Sequence, residues 1–412
     1  MRLLFVSNYY PPFHLGGYEE LCEEVARGLV GRGHEVHVLT SRLVPGQRLA
    51  APERNVWRLL YPVVRRGFIR ANLGFFVGRT QRERDDLGVF EGMRERVCPD
   101  VVVFWGMWNL TYLLAARAEE WGNPPVAYYI ADIWPGLPDA YVLHWSAPAR
   151  SGVARLGKRL ISRFARLGGA QAHPGTLLKF ERAMCVSAAV RDLLAAAGLP
   201  VSQATVLHNG IDLAAFPPRP PNEAEGAIKL LYAGRLMQEK GVETAIDAIS
   251  VLTNPDITLT LLGACAPDYE RLLRERVGKA GLQDRVMFAG RIPRAEMPER
   301  MAQFDALVVP SIGLEGLPRV AQEAMALGLV VIGTPVGGIP ELVVDEVTGL
   351  AFPPGDAAAL ARQIDRLDGD AALRIRLSSS ARAKVERDFS LDRMITDVES
   401  YLRNACSEVL DR

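Results

Sequence analysis

Residues 305–334 read "DALVVPSIGLEGLPRVAQEAMALGLVVIGT". An apolar run over 305–310 predicts a buried strand. "IGLEG" is the turn after it, and Pro318 suits the first position of a helix because its missing N–H is no loss there. The helix runs to about Leu327 and stops at Gly328. A second apolar run over 329–334 predicts another buried strand. Val320, Ala324 and Leu327 share one helix face, so the segment reads as strand, helix, strand around a core. Two carboxylates interrupt it. Glu315 falls in the loop before the helix and Glu323 more than one turn inside, at the margin of the apolar face. A carboxylate there must be paired, hydrogen-bonded or solvated by a cleft. It either pairs with Arg319 on the surface, worth a few tenths of a kcal/mol, or lines a pocket beside a helix N-terminus that favours anions.

The same alternation extends in both directions. Upstream, "KLLYAG" (229–234), "ITLTLLG" (257–263) and "RVMFAG" (285–290) are further buried strands. "HNGIDLAAFPPRPPNEAEGA" is rich in Pro, Gly and polar residues and marks a linker over 208–228. Before it lies another series: "RLLFVS" (2–7), a helix over 18–32, "EVHVLT" (35–40), "DVVVFW" (100–105), "PVAYYI" (125–130) and "AMCVS" (183–187). Continuous apolar strands separated by helices indicate parallel sheets covered on both faces. The expected fold is α/β, with two doubly wound domains whose ligands bind beyond the carboxyl ends of the strands and a cleft where the domains face each other.

Bulk properties narrow the function classes. A chain of 412 residues exceeds one ordinary core. Its zero formal net charge gives no electrostatic case for nucleic acid. Five cysteines at scattered positions argue against a disulfide framework or a zinc site and suit a reducing cytoplasm. No signal peptide and no apolar stretch long enough to span a membrane is expected.

Three more segments carry candidate chemistry. In "YAGRLMQEKGVETAI" (232–246), Arg235 and Lys240 follow a buried strand and Gly241 precedes a helix. Two cations beside a helix N-terminus make an anion site, or else a solvated basic loop. In "SNYYPPFHLGGYEE" (7–20), Gly16 and Gly17 precede a helix. They either allow close backbone approach to a ligand or form a turn needing positive φ. In "AYYIADIWPGLPDAY" (127–141), Asp132 follows a strand and precedes a Trp-Pro turn, where it binds a hydroxyl, acts as a base or caps the next element.

Together these segments resemble glycosyltransferase family 4 over nearly the whole chain. The resemblance includes Gly16-Gly17, "VSAAVRDLL" (186–194), "LHNGIDLAAF" (207–216), "GRLMQEKG" (234–241), residues 310–334 and "GGIPELVVDEVTGLAFPPGD" (337–356). It implies the GT-B fold: two facing Rossmann-like domains over 1–207 and 229–387. The stretch "VERDFSLDRMITDVESYL" (385–402) resembles the family's C-terminal helix, which places 388–412 back on the N-terminal domain. The implied activity is transfer of a sugar from a nucleotide-activated donor, UDP- or GDP-linked, to a hydroxyl acceptor, with retention of configuration and no metal or other cofactor. Front-face attack assisted by the leaving group is the mechanism it implies. By resemblance, Arg235 and Lys240 hold the donor diphosphate. Glu323 accepts from the ribose hydroxyls, and Glu315 lies against the donor sugar with Gly316, Leu317 and Pro318 beside it. Arg291 and Ile292 sit near the base, and Gly16 and Gly17 approach the donor. A nucleotide-sugar epimerase and a non-catalytic sugar-nucleotide binder are the alternatives.

One position departs from the family. Ala131-Asp132 stands where many relatives carry His-Asp, which predicts a donor without a 6-hydroxyl or a substitute role for Asp132. Separately, the stretch 140–180 contains no Asp or Glu and holds Arg150, Arg155, Lys158, Arg159, Arg163 and Arg166 among apolar residues at helical spacing. It reads as a core-packed helix with a solvated basic face, or as an amphipathic helix over 150–168 lying on an anionic membrane beside a lipid-linked acceptor.

Overall fold

The computed structural model describes residues 1–13, 16–43, 49, 53–62, 79–137, 177–219 and 226–410. The basic stretch 150–168 and residues 220–225 of the Pro-rich segment lie outside the described residues. The chain divides into two compact units, one of residues 1–207 with 395–412 and the other of residues 208–394.

The first unit holds seven described strands: β1 (Arg2–Ser7), β2 (Glu35–Ser41), β3 (Val56–Leu60), β4 (Val101–Phe104), β5 (Val126–Ile130), β6 (Ala183–Cys185) and β7 (Thr205–Val206). Their order across the sheet is β3-β2-β1-β4-β5-β6-β7, and every pairing is parallel. Leu3, Leu4, Phe5 and Val101–Phe104 are fully buried, because helices cover both faces and no side of these strands meets water. The helix Gly17–Gly31 lies against this sheet through Leu21, Cys22, Val25 and Leu29. The helix Leu391–Leu410 joins this unit from Ile395 onward. A Cβ at Gly28 would fall 2.2 Å from Ile395 Cδ1, so the missing side chain is what lets that helix close on its neighbour. Glu399 fastens it through His34 Nε2 at 2.9 Å and Arg32 at 3.1 Å, and these donors, with Arg403 of the same helix at 2.8 Å, pull its pKa down to about 2.

The second unit holds six described strands: β8 (Lys229–Ala233), β9 (Thr258–Leu262), β10 (Val286–Gly290), β11 (Ala306–Val309), β12 (Val330–Gly333) and β13 (Leu350–Ala351). Their order is β10-β9-β8-β11-β12-β13, again parallel throughout. Residues 208–219 lie within this unit, where Ile211 bridges Ser390 and the Arg219 N–H donates to Leu327 O.

Both sheets therefore reverse strand order once, between β1 and β4 in the first unit and between β8 and β11 in the second. At such a reversal the connections leave in opposite directions and open a crevice beyond the carboxyl ends, where ligands of doubly wound sheets bind.

Candidate active site

In the second unit, the crevice lies between the loops after β8 and β11, and main-chain contacts assemble it. The single-turn helix Gln238–Lys240 follows β8. Gly241 then turns left-handed, at φ 65°, and caps the helix Val242–Ser250. A Cβ on Gly241 would lie 1.9 Å from Pro310 O, at the end of β11, so only glycine permits this approach. Glu239 O accepts from Ile312 N at 2.9 Å and Gly313 N at 2.8 Å, which ties the next loop to the same turn. A third loop joins through Gly338 N, which donates to Glu315 O at 2.9 Å, while Gly337 at φ 56° leaves room for that carbonyl. Gly241→Ala combines a left-handed backbone with a backbone clash. We expect it to destabilise the second unit by about 3 kcal/mol, read as a lower urea midpoint at unchanged slope.

These ties bring Lys240 and Glu315 together. Lys240 Nζ donates to Glu315 Oε1 at 2.6 Å, and Ser311 Oγ donates to the same oxygen. Ser311 is fixed in turn by Thr334 Oγ1, which donates to its carbonyl at 2.7 Å. Glu315 is buried, and this ion pair compensates its carboxylate there. Burial, with a smaller push from the Glu315 charge, raises the neighbouring Tyr232 hydroxyl well above its ordinary pKa. Arg235 is exposed, and among the described residues no carboxylate pairs with its guanidinium. None of the described residues accepts a hydrogen bond from the amides of Gly316 and Leu317. Among the described residues, one uncommitted cation five residues before Lys240 and two uncommitted amides directly after Glu315 thus flank the lysine–glutamate pair along the chain.

Pro318 is the residue before the helix and not its first member. The helix is Arg319–Leu327, and Pro318 has φ −71° and ψ 111°. Glu323 differs from expectation more sharply. It is 2% exposed, because the helix is buried along its whole length from Ala321 to Leu327 and packs against the helix Ala371–Asp388 as well as β11 and β12. Its partner is Arg294, whose Nη2 lies 2.5 Å from Glu323 Oε1, and not Arg319. Arg294 also lies over the Phe216 ring, at 5.3 Å. Arg294 escaped the sequence reading because its pairing spans 29 residues and two loops. Arg291 is exposed and Ile292 half-buried in the loop just after β10, upstream of Arg294.

The other candidates lie in the first unit. Gly16 precedes the helix Gly17–Gly31 with φ −167°, so the turn needs no left-handed residue. A Cβ there would meet nothing within 4 Å, and the Gly16 N–H donates to Glu19 Oε2 at 3.1 Å. Asp132 caps the turn Trp134–Gly136: its Oδ1 accepts from Trp134 N at 2.8 Å, and its Oδ2 from Trp108 Nε1 at 2.5 Å. Burial pushes its pKa up to about 6 against the pull of both donors, with Glu19 adding a smaller push. Trp108 and Glu19 were not singled out in the sequence. Trp108 falls beyond the predicted end of its strand, and Glu19 reads as an ordinary first-turn acid.

Comparison with known proteins completes the identification. Residues 217–384 match the family "Glycosyl transferases group 1" and residues 15–215 match "Glycosyltransferase Family 4". Amylovoran biosynthesis glycosyltransferase AmsK of Erwinia amylovora is 30% identical over 53% of this chain and 55% of its own length. Glycogen synthase of Mycobacterium tuberculosis H37Rv is 33% identical over 48% of each chain. The chain spans about half the length of these curated relatives. Sucrose-phosphate synthase of Thermosynechococcus elongatus matches in structure with a TM-score of 0.73 at 22% identity, covering 98% of this chain and 99% of that one. Anabaena HepE in complex with UDP-glucose gives 0.67 at 20%, covering 98% and 99%. These structures share the GT-B fold with both parallel sheets described above, and the two sequence matches between them take in almost the whole chain. The chain belongs to glycosyltransferase family 4.

Proposed function

We propose that this chain moves a glycosyl residue from a nucleoside-diphosphate sugar to an acceptor hydroxyl, with retention of configuration. The observation that carries this reading is the arrangement at the reversal between β8 and β11. There the Arg235 guanidinium, without a carboxylate partner among the described residues, the Lys240–Glu315 pair and the amides of Gly316 and Leu317 all sit in the loops that follow β8 and β11. A diphosphate fits those donors, and its negative charge rises as the sugar departs, so preorganised cations and amides stabilise the transition state more than the ground state. In the step itself the bond from the anomeric carbon to the distal phosphate oxygen breaks. The acceptor oxygen bonds to that carbon, and the acceptor proton passes to the departing phosphate.

Arg235 and Lys240 are assigned to the diphosphate, Glu315 to the donor sugar and Glu323 to the ribose hydroxyls. Arg294 aims the Glu323 carboxylate, and Arg291 with Ile292 borders the base. The first unit is assigned to the acceptor, with Asp132 at its strand ends. The name of AmsK supports a role in building a surface polysaccharide. Among the described residues no helix is long and apolar enough to cross a membrane.

The test is product analysis with UDP- and GDP-hexoses, with and without glycoside acceptors. Transfer product with the anomeric configuration of the donor supports the reading; conversion of the donor alone marks an epimerase instead. A linked expectation concerns Glu323→Ala. It leaves Arg294 without its carboxylate and removes the ribose contact. Nucleotide affinity measured by calorimetry should fall about tenfold to a hundredfold. Unchanged affinity removes Glu323 from the nucleotide site.

A further inference from the structure

Residues 208–211 open the second unit and are pinned by their backbone. The Ile211 N–H donates to Phe389 O at 3.0 Å, and the Leu391 N–H donates to Ile211 O at 2.9 Å. A Cβ on Gly210 would fall 2.4 Å from Ser390 O, so only glycine lets the two segments lie this close. Asn209 stands on that fixed support and is 4% exposed. Its Nδ2 donates to Leu317 O at 3.2 Å, across 108 positions of sequence. Gln322, on the helix Arg319–Leu327, bonds Asn209 in turn. Its Nε2 donates to Asn209 O at 2.8 Å and to Asn209 Oδ1 at 3.1 Å. Leu317 O and Asn209 O are backbone carbonyls and only accept, so each side-chain amide has one possible orientation.

That orientation is held against a cost. Gln322 is fully buried, yet among the described residues its Oε1 has no hydrogen-bond partner. A buried acceptor left unpaired destabilises a fold, and such local violations are expected where placement matters more than stability. What is placed here is the Leu317 carbonyl. The peptide from Leu317 to Pro318 has no N–H, so its oxygen is the one polar group by which it can be held. With that oxygen bonded and the side chain buried, Leu317 is gripped on two sides. Its N–H then keeps one direction, and none of the described residues accepts from it.

We propose that Asn209 is a positioning residue for the donor diphosphate: it holds the Leu317 carbonyl, Gln322 holds Asn209, and the amides of Gly316 and Leu317 thereby stay aimed at the phosphate oxygens. Asn209 acts through the backbone and makes no contact with the donor itself. The inference rests on the assignment of those two amides to the diphosphate, and it adds what aims them. Amides on a loose loop would still reach a phosphate, but they would have to be ordered as charge develops on it, and preorganisation removes that requirement.

The test compares UDP with uridine and GDP with guanosine, by ligand-observed NMR titration of the full chain. In the wild type, one diphosphate should bind about tenfold or more tightly than its own nucleoside. In Asn209→Ala that gain should shrink about fivefold to tenfold, while nucleoside affinity stays within about twofold. A general loosening of the unit would weaken both ligands alike, so the ratio isolates positioning from stability. If Asn209→Ala fails to fold, as judged by circular dichroism, Gln322→Met decides. It leaves the bond to Leu317 but frees the Asn209 side chain, and the gain should shrink about threefold. The proposal is overturned if a folded variant keeps the wild-type gain, or if it loses nucleoside affinity to the same extent. A wild type that gains nothing from the diphosphate removes the donor assignment and this proposal with it. A wild-type gain that survives in the variants removes the positioning role alone.

Discussion

We expect replacement of Lys240 with alanine to lower kcat/KM for the nucleotide-sugar about a thousandfold, given its proposed assignment to the diphosphate. Two losses add in this variant. The donor diphosphate loses a cation placed where charge develops, an effect of about 3–4 kcal/mol at comparable sites. Glu315 also loses its ion pair and keeps only the Ser311 hydroxyl, so its carboxylate is less well held against the sugar. Arginine should not restore the rate, because a planar fork does not replace a point charge seated 2.6 Å from one carboxylate oxygen. Steady-state kinetics with the identified donor provides the check. A Lys240→Ala enzyme within threefold of wild type removes this residue from the mechanism.

Glu315→Gln keeps the shape of the side chain and removes its charge. The expected result is a fall in kcat of about 10²–10³-fold with nucleotide affinity changed less than about threefold, because the carboxylate is assigned to the sugar and not to the nucleotide. The split separates Glu315 from Glu323, whose loss should act on binding. Since Lys240 and Glu315 act as one unit, the double variant should lose far less than the product of the two single losses. Full additivity in that cycle would show that the contact between them does not matter for transfer.

The central strands were legible because burial on both faces leaves a continuous apolar run. Ten predicted strands lie within a residue or two of β1, β2, β4–β6 and β8–β12. β3, β7 and β13 went unseen for a physical reason. β3 lies at a sheet edge with Arg58 and an exposed Leu59 inside it, and the other two are edge strands of two residues each. Edge strands need only one partner, so their sequences need not be apolar. In the site, residue identity was legible while pairing was not. The sequence separates Lys240 from Glu315 by 75 positions, and nothing in either segment announces the contact that Gly241 and the Glu239 carbonyl enforce. Glu323 was placed at the margin of an apolar face, paired or in a cleft; it is paired with Arg294, and it is more deeply buried than a helical wheel with one wet face suggests because this helix is covered on its far side too. Asp132 could be read either as a cap or as a chemical group, and the capping hydrogen bond is present.

The loop that carries Glu315 is held by its backbone. Its amides at Ile312 and Gly313 hang on Glu239 O, and its carbonyl at Glu315 holds Gly338. The side chains of Ile312 and Leu314 take no part in that anchoring and stand 51% and 39% exposed. Anchoring and the exposed surface of this loop are thus carried by different atoms of the same residues. Such a loop tolerates drift at its two apolar positions while its reacting carboxylate stays in place. Substitutions at Ile312 and Leu314 should therefore leave the backbone ties to Glu239 and Gly338 intact, which makes these two positions the economical place for a library.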